Sequence, residues 1–74
     1  MGKILNNATK GHVENMLIEI ERGFGVPAIV SNDDYYEQLS NWKAEIIDCR
    51  EAGNLEKATE IATVAIEMIQ ELDN

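Results

Sequence analysis

The sequence has few of the residues that build catalytic, metal-binding or cross-linked sites. Its 74 residues include one cysteine, Cys49, and one histidine, His12, so neither an internal disulfide nor a histidine–cysteine metal site can form within the chain. It also lacks a phosphate-binding loop, a Cys-x-x-Cys pair and a serine in a glycine-rich elbow. These absences predict a protein that is not an enzyme and that uses no cofactor or metal.

Long apolar runs are absent as well. No stretch approaches the roughly 18 residues of a membrane span, and the first residues do not resemble a secretory signal. A lone cysteine is typical of a reducing compartment. We therefore expect a cytoplasmic protein, in the host cytosol if a virus encodes it, with no membrane partner.

Positive charge is scarce and unevenly distributed. The chain has 6 lysines and arginines against 14 acids, a net charge of −8. Residues 1–32 carry three cations and three acids, whereas residues 33–74 carry three cations and eleven acids, so the whole excess lies in the second part. Such a surface repels nucleic acid and anionic lipid and attracts basic proteins. The sequence thus predicts a partner protein with a basic surface and no direct nucleic-acid binding.

The spacing of apolar residues predicts an all-α fold, a single small three-helix domain over residues 1–74. One stripe at helical spacing predicts a first helix over about residues 9–22, with Thr9 as its N-cap. Its members are Val13, Met16, Leu17 and Ile20. Gly23 is expected to end this helix in the left-handed conformation.

An uncharged run from Gly23 to Ile29 follows, and we predict an extended Gly/Pro loop over residues 23–31. Pro27 lacks an amide hydrogen and biases Val26 towards an extended backbone. The segment 28–30 has β character. It is therefore a buried strand, a loop packed on the core, or a contact for a partner, including a second copy of this chain in a possible homodimer.

The remainder predicts an antiparallel helical hairpin, with helices over about residues 32–52 and 55–72. Ser31 to Asp34 reads as a capping box, Gly53 is expected to end the second helix, and Asn54 to cap the third. The buried stripe of the second helix is expected to be Tyr35, Leu39, Trp42, Ile46 and Cys49. That of the third is Leu55, Ala58, Ile61, Ala62, Ala65, Met68, Ile69 and Leu72.

Two rows of acidic residues are the candidate partner-binding site. They comprise Asp34, Glu37, Glu45 and Asp48 on the second helix and Glu56, Glu60, Glu67 and Glu71 on the third. Acidic rows are usually only solvated faces, but like charges four residues apart destabilise a helix by about 0.2–0.5 kcal/mol per pair, and acids near a helix C-terminus oppose its dipole. Residues that destabilise their own helix without stabilising the fold elsewhere are candidates for a functional role. Carboxylates about 6–10 Å apart along a helix could occupy a lysine/arginine groove that normally holds nucleic acid.

A second face of the second helix carries Tyr36 and Ile47. Either this face packs between the other two helices, or it contacts another protomer. In the second case Tyr36, Ile47 and, from the loop, Ile29 are possible interface anchors.

Residues 12–39, HVENMLIEIERGFGVPAIVSNDDYYEQL, resemble Phd/YefM-type antitoxins, in which a helix leads into a G-x-P-x-A-V-x-V-S-x-x-D-Y-x-x-L-like segment. The matching positions are Pro27, Ile29, Ser31, Asp34, Tyr35 and Leu39. The resemblance implies a dimeric antitoxin that wraps a toxin with acidic C-terminal helices.

Three functional hypotheses follow. The preferred one is a non-enzymatic acidic protein–protein interaction module that binds and inhibits or regulates a partner, as a phage or mobile-element inhibitor of a nucleic-acid-binding enzyme does. The alternatives are an antitoxin-like regulatory dimer and a structural helical-bundle subunit of a larger assembly.

Overall fold

A computed structural model describes residues 9–73, and the regular structure in this range is entirely helical. The helices are α1 (Lys10–Gly23), α2 (Pro27–Val30), α3 (Asp33–Glu51) and α4 (Leu55–Asp73). The prediction of a small all-α domain is confirmed, but the described range contains four helices rather than three. None of these helices has the length and apolar character needed to cross a bilayer.

The predicted extended loop over residues 23–31 is wrong for residues 27–30, which form the helical turn α2, whereas Val26 has the extended backbone that was predicted. Pro27 occupies the first helical position, where no amide hydrogen is needed and its fixed φ suits a helix. The Val26 carbonyl accepts hydrogen bonds from the amides of Ile29 and Val30, both at 2.9 Å. Since these amides form hydrogen bonds within the turn, the segment is not a strand. The same amides are not available for β-sheet hydrogen bonds with a second chain.

The start of α3 also differs from the prediction. Ser31 ends α2, where its Oγ donates to the Pro27 carbonyl at 2.8 Å, so it does not cap α3. Asn32 is the N-cap instead, and its Oδ1 accepts from the amides of Asp34 at 3.0 Å and Tyr35 at 3.3 Å. An amide side chain satisfies the free N–H groups of a first turn as well as a hydroxyl does.

Gly23 ends α1 without adopting the left-handed conformation, which corrects another prediction; among residues 9–73 only Gly53, between α3 and α4, has a positive φ, at 82°. The reason for glycine at position 23 is close packing. A Cβ there would overlap the side chain of Ile69 and lie 3.3 Å from Leu39 Cδ2. Gly23 is thus where the α1 backbone approaches both α3 and α4.

The core lies where α4 packs against α1 and α3. The buried apolar residues are Val13, Leu17, Ile20, Val26, Ile29, Leu39, Ile46, Ala58, Ala62 and Ala65. Three of them are alanines of α4, which allow the helices to approach closely. Tyr35, predicted to be buried, is 38% exposed instead, a position that leaves its hydroxyl in water.

Candidate partner-binding surface

Ion pairs join α1 to one face of α3. Arg50 Nη1 lies 2.9 Å from Glu14 Oε2, and Lys43 pairs with Glu21. Because higher residue numbers on α3 meet lower numbers on α1, the two helices run antiparallel. Both cations of α3 are therefore directed towards the acids of α1, and Arg50 also lies 3.6 Å from Glu51.

The eight acids predicted as a partner-binding surface have no such partners. All are exposed, and none lies within 4.0 Å of a cationic group of residues 9–73. We call this set the acidic surface: Asp34, Glu37, Glu45, Asp48, Glu56, Glu60, Glu67 and Glu71. In contrast, the three acids of α1 all take part in ion pairs, since Glu19 lies 3.8 Å from Arg22. Charge is thus neutralised beside α1 and left unneutralised on the outer faces of α3 and α4.

The fold arranges the acidic surface in two parts. Gly23 contacts both Leu39, early in α3, and Ile69, late in α4, so the start of α3 and the end of α4 lie at the same end of the molecule. The acids nearest that end are Asp34, Glu37, Glu67 and Glu71. Towards the other end, Glu45 and Asp48 line a groove of about 340 Å³ between α3 and α4.

This second part is not uniformly negative. Lys57, Cys49, Asn54 and Ile61 line the same groove as Glu45 and Asp48. Asn54 is also the N-cap of α4, where its Oδ1 accepts from the Lys57 amide at 3.3 Å. The more strongly anionic part of the acidic surface is therefore the end at which α3 begins and α4 finishes.

Tyr36 and Ile47 line one groove of about 440 Å³ beside α1. We call it the aromatic groove; its lining residues are Glu21, Phe24, Tyr36, Ser40, Lys43, Ala44 and Ile47. The rings of Phe24 and Tyr36 meet edge to face with centroids 5.1 Å apart, and Lys43 Nζ lies 5.7 Å from the centre of Phe24. Phe24 is half-buried and also packs against the core.

Ile29, the third proposed anchor, is fully buried in the core of this chain. It is the one residue of α2 that is fully buried, whereas its neighbours Ala28 and Val30 are half-buried and exposed. The structure therefore gives Ile29 no exposed surface for a partner.

Groups that could perform chemistry stand apart from one another. Among residues 9–73 no three acidic, histidine or cysteine side chains are grouped as a metal site would require. Cys49 is half-buried, and the Ser31 hydroxyl is engaged with the Pro27 carbonyl. The arrangement offers charged and aromatic surfaces for contact with another molecule.

Comparisons with models of protein families, with curated proteins and with solved structures found no match for this chain.

Proposed function

We propose that this protein is a non-enzymatic interaction module whose acidic surface binds the basic surface of a partner protein and thereby inhibits or regulates it. The observation that carries the proposal is the contrast in charge pairing. Lys43 and Arg50 pair with acids of α1, while the eight carboxylates of the acidic surface are exposed and unpaired within residues 9–73. A partner rich in lysine and arginine would supply the missing cations.

The energetic cost of the acidic surface supports this proposal. Glu67 and Glu71 are one helical turn apart near the end of α4, and the last turn of that helix contains no basic residue. Both the like-charge pair and the helix dipole favour cations here, by a few tenths of a kcal/mol to about 1 kcal/mol for each position. Binding of a basic partner would relieve this repulsion. The acids, which destabilise the helix of the free chain, would therefore stabilise the complex.

The type of partner follows from the shape of the acidic surface. The acids of α4 are four, seven and four residues apart, which corresponds to rises of about 6, 10 and 6 Å, and those of α3 are three, eight and three residues apart, so each row presents negative charge along a rigid helix. A groove that binds the phosphates of nucleic acid presents the complementary row of cations. We therefore propose a nucleic-acid-handling protein as the partner, in the cytosol, where the single cysteine of the chain would stay reduced.

Two variants with the same change in net charge test the proposal. Glu67→Lys/Glu71→Lys reverses two acids of the acidic surface, and Glu19→Lys/Glu51→Lys reverses two exposed acids that have ion-pair partners. The probe is a fluorescein-labelled decalysine peptide, with binding followed by fluorescence anisotropy at several NaCl concentrations. We expect the first variant to weaken binding about tenfold or more and to reduce the salt dependence, and the control to weaken it much less.

Equal losses in the two variants would show that decalysine responds only to net charge, and the acidic surface would then not be a site. Circular dichroism of both variants should show unchanged helix content. A partner isolated from the source cell should then be tested with the same pair of variants, because its affinity must show the same difference.

A further inference from the structure

The aromatic groove is open to solvent, and aromatic and apolar side chains form part of its lining. Tyr36 is 43% exposed although its ring packs on Phe24, and Ala44 is exposed as well. Ile47 and Ser40 are half-buried and continue the surface along α3. From Tyr36 to Ile47 the lining runs eleven residues along α3, about 16 Å or three helical turns.

Unpaired acids border this groove. At about 100° per residue, Glu37 and Asp48 fall next to Ala44 on the solvent side of α3, and Asp33 falls at the N-terminal end of the same strip. All three are exposed and have no ion pair among residues 9–73. The charges inside the groove, Lys43 and Glu21, neutralise each other. The groove therefore combines aromatic and apolar side chains with one ion pair, and the unpaired acids, which we call the rim, border it on the solvent side of α3.

We infer that the aromatic groove binds a basic amphipathic helix of the partner protein; this inference rests on the proposed function and specifies the element of the partner. Apolar residues one turn apart on such a helix would contact Tyr36, Ala44 and Ile47, the usual mode in which a helix binds a groove. Lysines or arginines beside its apolar stripe would reach Glu37 and Asp48, whose Cα atoms are about 16 Å apart on α3.

The negative charge of the rim favours a basic helix over a second copy of this chain or an anionic membrane surface. A second copy of the chain would bring its own acidic helices, because α3 and α4 hold the entire net charge of −8, and like charges across an interface are unfavourable. An anionic membrane surface is repelled for the same reason. A cationic amphipathic helix would place apolar side chains against the apolar part of the groove and its cations beside the acids of the rim.

The test uses a labelled peptide of about 18 residues, made only of leucine and lysine with leucine at i, i+3, i+4 and i+7, and a scrambled peptide of identical composition. Ala44→Gln and Ser40→Gln each add bulk inside the groove without changing its charge. Val64→Gln is the matched control, since Val64 is 49% exposed on α4, outside the groove. Binding to the full chain is measured by anisotropy, and helix content by circular dichroism.

We expect the amphipathic peptide to bind wild-type protein about tenfold more tightly than the scrambled peptide, and Ala44→Gln or Ser40→Gln to remove that advantage while Val64→Gln keeps it. If both peptides bind equally and the groove variants behave like the control, the inference is overturned, although the proposed function stands because the acidic surface still binds cations. If neither peptide binds at any salt concentration, both the inference and the proposed function fail.

Discussion

The two sides of α3 differ in how their charges are used. Towards α1, Lys43 and Arg50 pair with Glu21 and Glu14, so these charges connect the two helices. Away from α1, the eight acids of the acidic surface on α3 and α4 have no cationic partners among residues 9–73. One helix thus carries a side whose charges serve the fold and a side whose charges do not. The unpaired acids are therefore confined to the outer faces of α3 and α4, and we propose that these faces bind the partner.

The largest effect is expected where α1 meets α3 and α4. Gly23→Ala should lower the free energy of unfolding by about 1–3 kcal/mol, because the new methyl group overlaps the stiff side chain of Ile69. Urea denaturation measures the change. Gly11→Ala is the matched control, since a Cβ at Gly11 meets nothing within 4 Å and alanine favours the helix, so it should raise stability by about 0.5–1 kcal/mol.

A truncation of Ile69 tests whether the overlap with this side chain causes the loss of stability. In the background of Ile69→Ala, the Gly23→Ala substitution should cost much less than in the wild type, because the overlapping atoms are gone. An equal cost in both backgrounds would contradict the close approach of α1 to α4.

A smaller, opposite effect is expected on the acidic surface. Glu67→Lys/Glu71→Lys should raise the free energy of unfolding by about 0.3–1 kcal/mol, because it places cations near the C-terminus of α4, where the helix dipole favours them; the repulsion within the pair is unchanged, since both positions still carry the same charge. Thermal and urea unfolding at low salt measure it. A clear loss of stability would mean that these acids already serve the fold and would weaken the case for their role in binding.

The smallest effect is expected for the ion pair between α1 and α3. A double-mutant cycle with Arg50→Gln and Glu14→Gln should give a coupling energy of about 0.2–1 kcal/mol, since Glu14 is largely exposed and water screens the pair. The coupling should decrease at high salt. A coupling of zero at low salt would remove the structural role that we assign to the α1 side of α3.

The sequence predicted the long helices because their apolar residues follow a local spacing. Leu17 and Ile20 of α1, or Ala58 and Ala62 of α4, recur at helical intervals, and so do the acids on the opposite faces. The four-residue helix α2 is too short to show a period, and Pro27 suits the first turn of a helix as well as an extended segment.

Contacts between helices could not be predicted from the local spacing of residues. The sequence alone does not indicate that the role of Gly23 is contact with Ile69, or that Phe24 lies against Tyr36, because both depend on how α1 packs against the other helices. The division of the acids into paired and unpaired groups has the same origin. Which acids have ion-pair partners depends on the fact that Lys43 and Arg50 face α1, and this follows only from the packing of the helices.

The most direct test of the central claim is to map where a cationic ligand binds, using backbone amide chemical shifts of the full chain during titration with decalysine. We expect the amides near Asp34, Glu37, Glu67 and Glu71 to shift most, and those near Glu14, Glu19 and Glu21 to shift little. Shifts of equal size on α1, or shifts confined to it, would contradict the claim that the outer faces of α3 and α4 form the binding surface.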